Sequence, residues 1–289
     1  MKKLVKSIIF FFAATSGMYV SAQRPTHELS AYAATGLSTL RYKPDIGAKG
    51  GGFGGDFGVG YTYFMYREWV AGSGTVYNMK WGVHSGVGMG LFNSRADVNK
   101  QETVTYGLVD DENDKFDLHT TLNNYSEKQN SIFLNIPVMA TLQLNQYYAM
   151  AGVKLGLPLI AKHKAKDVKI SNRAYYTEYD NWLEEQEFVG FGPFVRDEAK
   201  GDLDLGLCVA LALEGGIILR LSKTMNLYTG VYADIGLNNV SKAKADLAFI
   251  NYDVNNPKNF TTNSVMATQS DKTNLIAVGV KVRLGFGLR

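Results

Sequence analysis

The chain reads as all-β, a transmembrane antiparallel up-and-down β-barrel of eight strands. Three observations predict it: strict two-residue alternation in about eight places, connections whose lengths differ between the two ends, and outward aromatics gathered at one end. The alternation is clearest in Phe53–Met65. Phe53, Phe57, Val59, Tyr61, Tyr63 and Met65 share one face, and Gly54, Asp56, Gly58, Gly60 and Thr62 the other. A period of two is a strand period. Apolar side chains on one face and small or charged ones on the other fit a strand with lipid outside and a polar interior.

The amino terminus reads as an export signal over residues 1–22. Lys2, Lys3 and Lys6 precede an apolar run centred on Ile8–Phe12, and Val20-Ser21-Ala22 supplies the small residue at the cleavage position. The run is broken by Thr15, Ser16 and Gly17, so it falls short of the roughly 20 apolar residues of a membrane anchor. The barrel domain is then 23–289. The formal net charge of +3 is carried by lysines of the signal, which leaves the mature chain near neutral and gives no warrant for nucleic-acid binding. With one cysteine, Cys208, no intrachain disulfide forms, and no Cys/His spacing suits a metal or other cofactor.

In order, the strands are expected at His27–Tyr42, Phe53–Met65, Lys80–Phe92, Ser131–Leu144, Tyr147–Lys162, Asp202–Leu221, Asn226–Asn239 and Asn274–Leu288. Leu29, Ala31, Ala33, Thr35 and Leu37 share a face of the first; Trp81, Val83, Val87, Met89 and Leu91 alternate with glycines in the third. Pro137 falls on the inner face of the fourth, which requires a bulge or a locally unpaired position. Asn145-Gln146 makes a tight reversal. In the sixth, Leu203, Leu205, Leu207, Val209, Leu211 and Leu213 are read as outward, with Asp204, Cys208 and Glu214 inward. The segments Asn93–Asn130, His163–Gly201 and Asn239–Lys272 read as three long external loops, against short turns at the other end. Tyr61, Tyr63, Trp81, Tyr147 and Phe286 fall near the turn-side ends, as an aromatic belt at one water interface would. Ten strands would be needed only if part of a long loop were itself a hairpin.

Several segments carry a resemblance. Ile136-Pro137-Val138, the run Tyr148–Pro158, Asn181–Phe188, Gly201–Leu205, Leu227–Tyr232 and Ala277–Leu284 together resemble the outer-membrane β-barrel proteins of Bacteroidetes. The resemblance implies an OmpA-like barrel in the cell outer membrane, with outer-membrane lipid as its surroundings. Arg289 directly follows the last strand, so the expectation is a barrel without the C-terminal peptidoglycan-binding domain that some members carry. It implies no catalytic residues.

The inward parity collects Asp56, His84, Lys154, Glu214, Arg220, Asp234, Lys281 and Arg283. An eight-stranded barrel is just wide enough to be filled by side chains, so opposite charges should pair across it as a plug; a narrow gated pore uses the same residues. Catalysis would need a nucleophile beside a base, and none of His27, His84, His119 and His163 has one by spacing: Ser85 adjoins His84 but points to the opposite face. Asp110–Asp114 begins like a calcium loop but lacks the following glycine and the later acid. The segment with Tyr175, Tyr176, Tyr179, Trp182, Phe188, Phe191 and Phe194 is too aromatic for a free loop, and is the candidate surface for a glycan or protein ligand. The expected function is a non-enzymatic envelope-structural or surface protein with at most weak pore activity. The alternatives are a diffusion porin for small solutes and a surface binding module.

Overall fold

In the computed structural model, residues 26–70, 76–242, 247–251 and 260–288 are described; the signal assigned to residues 1–22 lies outside them. The chain forms β1 (Thr26–Tyr42), β2 (Ala48–Gly50), β3 (Phe53–Val70), β4 (Val76–Val109), β5 (Lys115–Leu144), β6 (Tyr147–Tyr176), β7 (Asn181–Leu183), β8 (Gly192–Asp202), β9 (Cys208–Arg220), β10 (Met225–Gly236), β11 (Ile250–Asn251), β12 (Thr261–Thr262) and β13 (Thr273–Leu288). A single helical turn, α1, spans Val265–Thr268. Eight strands close into an antiparallel ring in the order β1, β3, β4, β5, β6, β9, β10, β13 and back to β1.

The alternation read from the sequence sets the two faces of the ring. Phe53, Phe57, Val59, Val87, Val138, Val153, Val231 and Val280 point out and are exposed, while Asp56, His84, Lys154, Glu214 and Arg283 point in and are buried. Pro137 sits where the β4–β5 ladder lapses, between the Ser85–Val138 and Gly88–Asn135 pairs, so its missing N–H leaves no acceptor waiting. Asn145 takes the left-handed conformation, φ 56°, that the tight β5–β6 reversal requires. Tyr61, Trp81, Tyr147 and Phe286 stand exposed at this turn end.

Inward glycines make room for large side chains from neighbouring strands. A Cβ on Gly88 would lie 2.1 Å from the Tyr32 hydroxyl and 2.8 Å from the Phe57 carbonyl, and one on Gly60 would lie 2.4 Å from the His84 ring. Gly88→Val is therefore expected to prevent closure of the ring. The check is the loss of β-sheet circular dichroism and of protease resistance after refolding; a normal yield of folded protein would show that the interior can give way.

Two of the predicted loops are strand. Asn93–Asn130 continues β4 and β5 as one hairpin that turns at 110–114, and His163–Tyr176 continues β6, which pairs with β8 and β7. A polar outer face and a slip of parity give these stretches the sequence pattern of loops. Asn124 (φ 49°) and Asp167 (φ 51°) interrupt the β5–β6 register between the Asn123–Lys169 and Glu127–Ala165 pairs and reverse which side is buried. Strand β4 has 34 residues, roughly 110 Å of extended chain; crossing a bilayer takes about 9–11 residues. Its upper half, with those of β5 and β6 and with β8, forms a sheet standing beyond the ring.

Leu203 and Leu205, expected to face outward, are buried instead. Residues 203–207 leave the ladder: the Leu203 N–H donates to the Ala161 carbonyl and the Gly206 N–H to the Val240 carbonyl, and Leu205 bridges Ser241. The two leucines therefore turn into the interior while Asp204 faces water near Lys242.

Candidate functional site

The interior of the ring is layered. Nearest the turns, the Glu28 carboxylate accepts hydrogen bonds from the Tyr228 hydroxyl at 2.8 Å and the Asn226 amide at 3.2 Å, and Gln143 donates to the Tyr228 oxygen at 3.1 Å. Farther in, Glu214 is held by Lys281 at 2.8 Å, by Arg283 and by the Tyr148 hydroxyl at 3.0 Å. Arg283 lies 4.9 Å from the centre of the Tyr228 ring, and Lys281 4.1 Å from that of Tyr32, so aromatic faces share the cations. Lys154 bridges Asp56 at 2.8 Å and Asp234 at 2.5 Å, and the Tyr32 hydroxyl also donates to Asp56. His84 is buried with its Nδ1 2.8 Å from the Thr62 hydroxyl.

Seven of the eight inward residues named from the sequence thus lie buried in the ring. Arg220 does not: it ends β9 at the mouth, where the side chain is exposed and the walls no longer enclose it.

Above the charges the interior turns apolar. Leu40, Phe92, Phe133, Leu203, Leu205, Cys208, Tyr232 and Leu275 pack into one cluster, with Phe92 and Phe133 edge to face at 5.6 Å, and Met266 from α1 closes it. A second apolar cluster lies beyond, where Val98, Leu122, Tyr125, Ile170 and Phe194 of the projecting sheet are covered by Phe249, Phe260 and Val265. Between the two clusters sits Glu127, which the sequence reading missed. Its fully buried carboxylate accepts from the Tyr125 hydroxyl (2.9 Å), the Gln129 amide (2.8 Å), the Ser264 hydroxyl (2.5 Å) and the Val265 N–H (3.0 Å). Gln129 extends this network to Tyr42 and Ser94. A signal existed in the alternation Tyr125, Glu127, Gln129, but only the fold shows that α1 meets it. His163, expected in a loop, is buried beside these residues in β6, opposite Gln129.

The aromatic segment is divided by the fold. Tyr176 and Phe191 are buried against Phe116, Leu118 and Ala174 at the tip, and Phe194 belongs to the cluster below, so these three build the core and offer no free surface. Tyr175 lies 4.9 Å from Trp182, and Trp182 also meets His119 and the Arg173 guanidinium. Tyr179 and Phe188 are exposed. Carboxylates tie the tip together: Asp110 accepts from Tyr176, Asp114 from Tyr179 and Asp180 from Tyr175. Burial, then the Asp110 carboxylate, pushes the Tyr176 hydroxyl up to about 12. Asp110 is held below the usual carboxylate range by the Asp114 N–H, and by the Tyr176 hydroxyl and the Glu112 N–H. His119 and Arg173 hold Glu102 below it.

Neither a scan against protein-family models nor a search of curated proteins gives a match to this chain.

Proposed function

We propose that this protein is an outer-membrane β-barrel of the OmpA-like type that its sequence resembles, exported through a cleaved signal, with a non-enzymatic structural or surface role in the envelope. The carrying observation is the inverted polarity of the ring: charges inside, and a continuous apolar exterior through Leu29, Val59, Val87, Val138, Val153, Leu211, Val231 and Val280. In water so wide an apolar band would drive aggregation; a bilayer covers it at no such cost. The surface role is favoured over the diffusion porin by the filled interior, where paired charges lie under an apolar seal of Phe92, Phe133, Leu205 and Met266.

The test is refolding of the mature chain into lipid, followed by planar-bilayer recording beside Lys154→Ala and Glu214→Ala. The expected result is a vesicle-bound, heat-modifiable protein that passes no discrete current. A protein that stays monodisperse in water without detergent would sink the membrane reading. Discrete openings altered by either substitution would replace the surface role with transport.

A further inference from the structure

We infer that the knuckle Phe188–Val189 at the tip of the projecting sheet is the anchor of a docking surface for a cationic protein segment carrying an apolar side chain. The observation is the exposure of Phe188: at 87% it is the most exposed large hydrophobic side chain among the described residues. The apolar groups next to it in rank, other than Tyr106, are mostly outward residues of the ring, where lipid accounts for them in the proposed reading. Nothing of that kind accounts for Phe188.

The side chain is held out by a fixed turn. Glu187–Val189 forms one turn of 3-10 helix, in which the Val189 and Phe191 N–H groups donate to the Gln186 carbonyl. Gly190 then adopts φ 95°, a left-handed conformation suited to glycine, and the Asn172 side chain donates to its carbonyl. Phe191 is thereby driven into the tip core, 5.8 Å from Phe116, while Phe188 three residues earlier projects into solvent. The turn sets the backbone beneath Phe188, so a partner need order only the two side-chain torsions of one aromatic, a small cost for an interface anchor.

Charge selects the partner. Glu178, Asp180, Glu184, Glu185 and Glu187 surround the knuckle in sequence, and no lysine or arginine occurs between Ala174 and Val195. Arg173, just before this stretch, pairs with Glu184 at 3.7 Å and with Glu102 at 3.0 Å, so the acids left facing a partner are Glu178, Asp180, Glu185 and Glu187. The Tyr179 and Tyr176 hydrogen bonds bring the acidic turn at 110–114 to the same tip. Among the described residues no group of these side chains converges closely enough to hold a metal ion. The negative field is spread over a surface, which suits a lysine- or arginine-rich segment, while the aromatic supplies the short-range contact.

The inference rests on the surface role only in requiring that the tip stand in water. The test uses full-length mature protein in zwitterionic nanodiscs, with protein-free discs as the blank, and two labelled dodecapeptides of lysine and serine. One has two central leucines and the other two central serines. Fluorescence anisotropy is expected to show the leucine peptide binding at least about ten-fold tighter, and Phe188→Ser abolishing that preference without weakening the serine peptide. Glu184→Gln/Glu185→Gln/Glu187→Gln should weaken both peptides and flatten the dependence on salt. Equal binding of the two peptides, or a leucine preference that survives Phe188→Ser, overturns the proposal. Vesicle flotation of each variant is scored separately. Failure to float with the Phe188 preference intact in detergent counts against the barrel, and normal flotation without that preference counts against the docking surface alone.

Discussion

Replacing Lys154 with methionine is expected to destabilise the folded protein by about 3–5 kcal/mol, the usual cost of leaving a buried charge without its partner. Among the described residues Lys154 is the cation that ion-pairs with both Asp56 and Asp234, which are buried with it. Methionine keeps most of the volume, so the loss is electrostatic rather than steric. The triple variant Lys154→Met/Asp56→Asn/Asp234→Asn removes the stranded charges and should recover most of the loss. Urea unfolding in micelles, followed by circular dichroism, distinguishes the two. A single variant as stable as the parent would mean that the ring interior is wet enough to solvate the carboxylates.

The second large effect is expected at Glu127. Alanine there leaves four donors without an acceptor in the interior, from Tyr125, Gln129, Ser264 and Val265. Each such loss costs about 1–3 kcal/mol where water cannot enter. Here the cost should fall partly on the segment Phe260–Ser270, which no long ladder holds. It is kept in place by the side chains Phe260, Val265 and Met266, the two-residue β11–β12 pairing, the Arg196 and Asp45 hydrogen bonds to the Phe260 and Gln269 carbonyls, and one capped turn. Glu127→Ala should therefore make Phe260 and Met266 accessible to chymotrypsin while the ring stays intact. Glu127→Gln, which preserves the volume but converts an acceptor into a donor, should fall between. Unchanged cleavage rates in Glu127→Ala would show that packing alone retains the segment.

The closed ring was legible because its strands obey one rule throughout. From Phe53 to Met65 and from Lys80 to Phe92 every second side chain leaves the interior, so parity alone separates the apolar face from Asp56 and His84. The projecting sheet was not legible for the same reason. Leu118 and Leu122 are buried on even positions, Tyr125 and Glu127 on odd ones, and a reading that demands one parity sees no strand. Parity also puts Lys154 and Glu214 inside without telling which partners they meet. Asp56 and Lys154 are 98 positions apart and reach each other only through the register of several ladders. Leu203 and Leu205 show the opposite limit, since their alternation was regular but the backbone had already left the sheet.

Strands β4, β5 and β6 run from the turns to the tip with no loop inserted, their ladders interrupted at Asn124 and Asp167 and shifting register at Thr105–Leu108, and this has a mechanical meaning. A pull applied at the tip is not taken up by a flexible hinge. It passes along continuous backbone into the ladders that β4 shares with β3 and β6 with β9, loading their hydrogen bonds in shear, side by side, rather than peeling them one at a time. Hydrogen bonds loaded in this way fail together, so tension at the tip is borne by the wall of the ring as a whole.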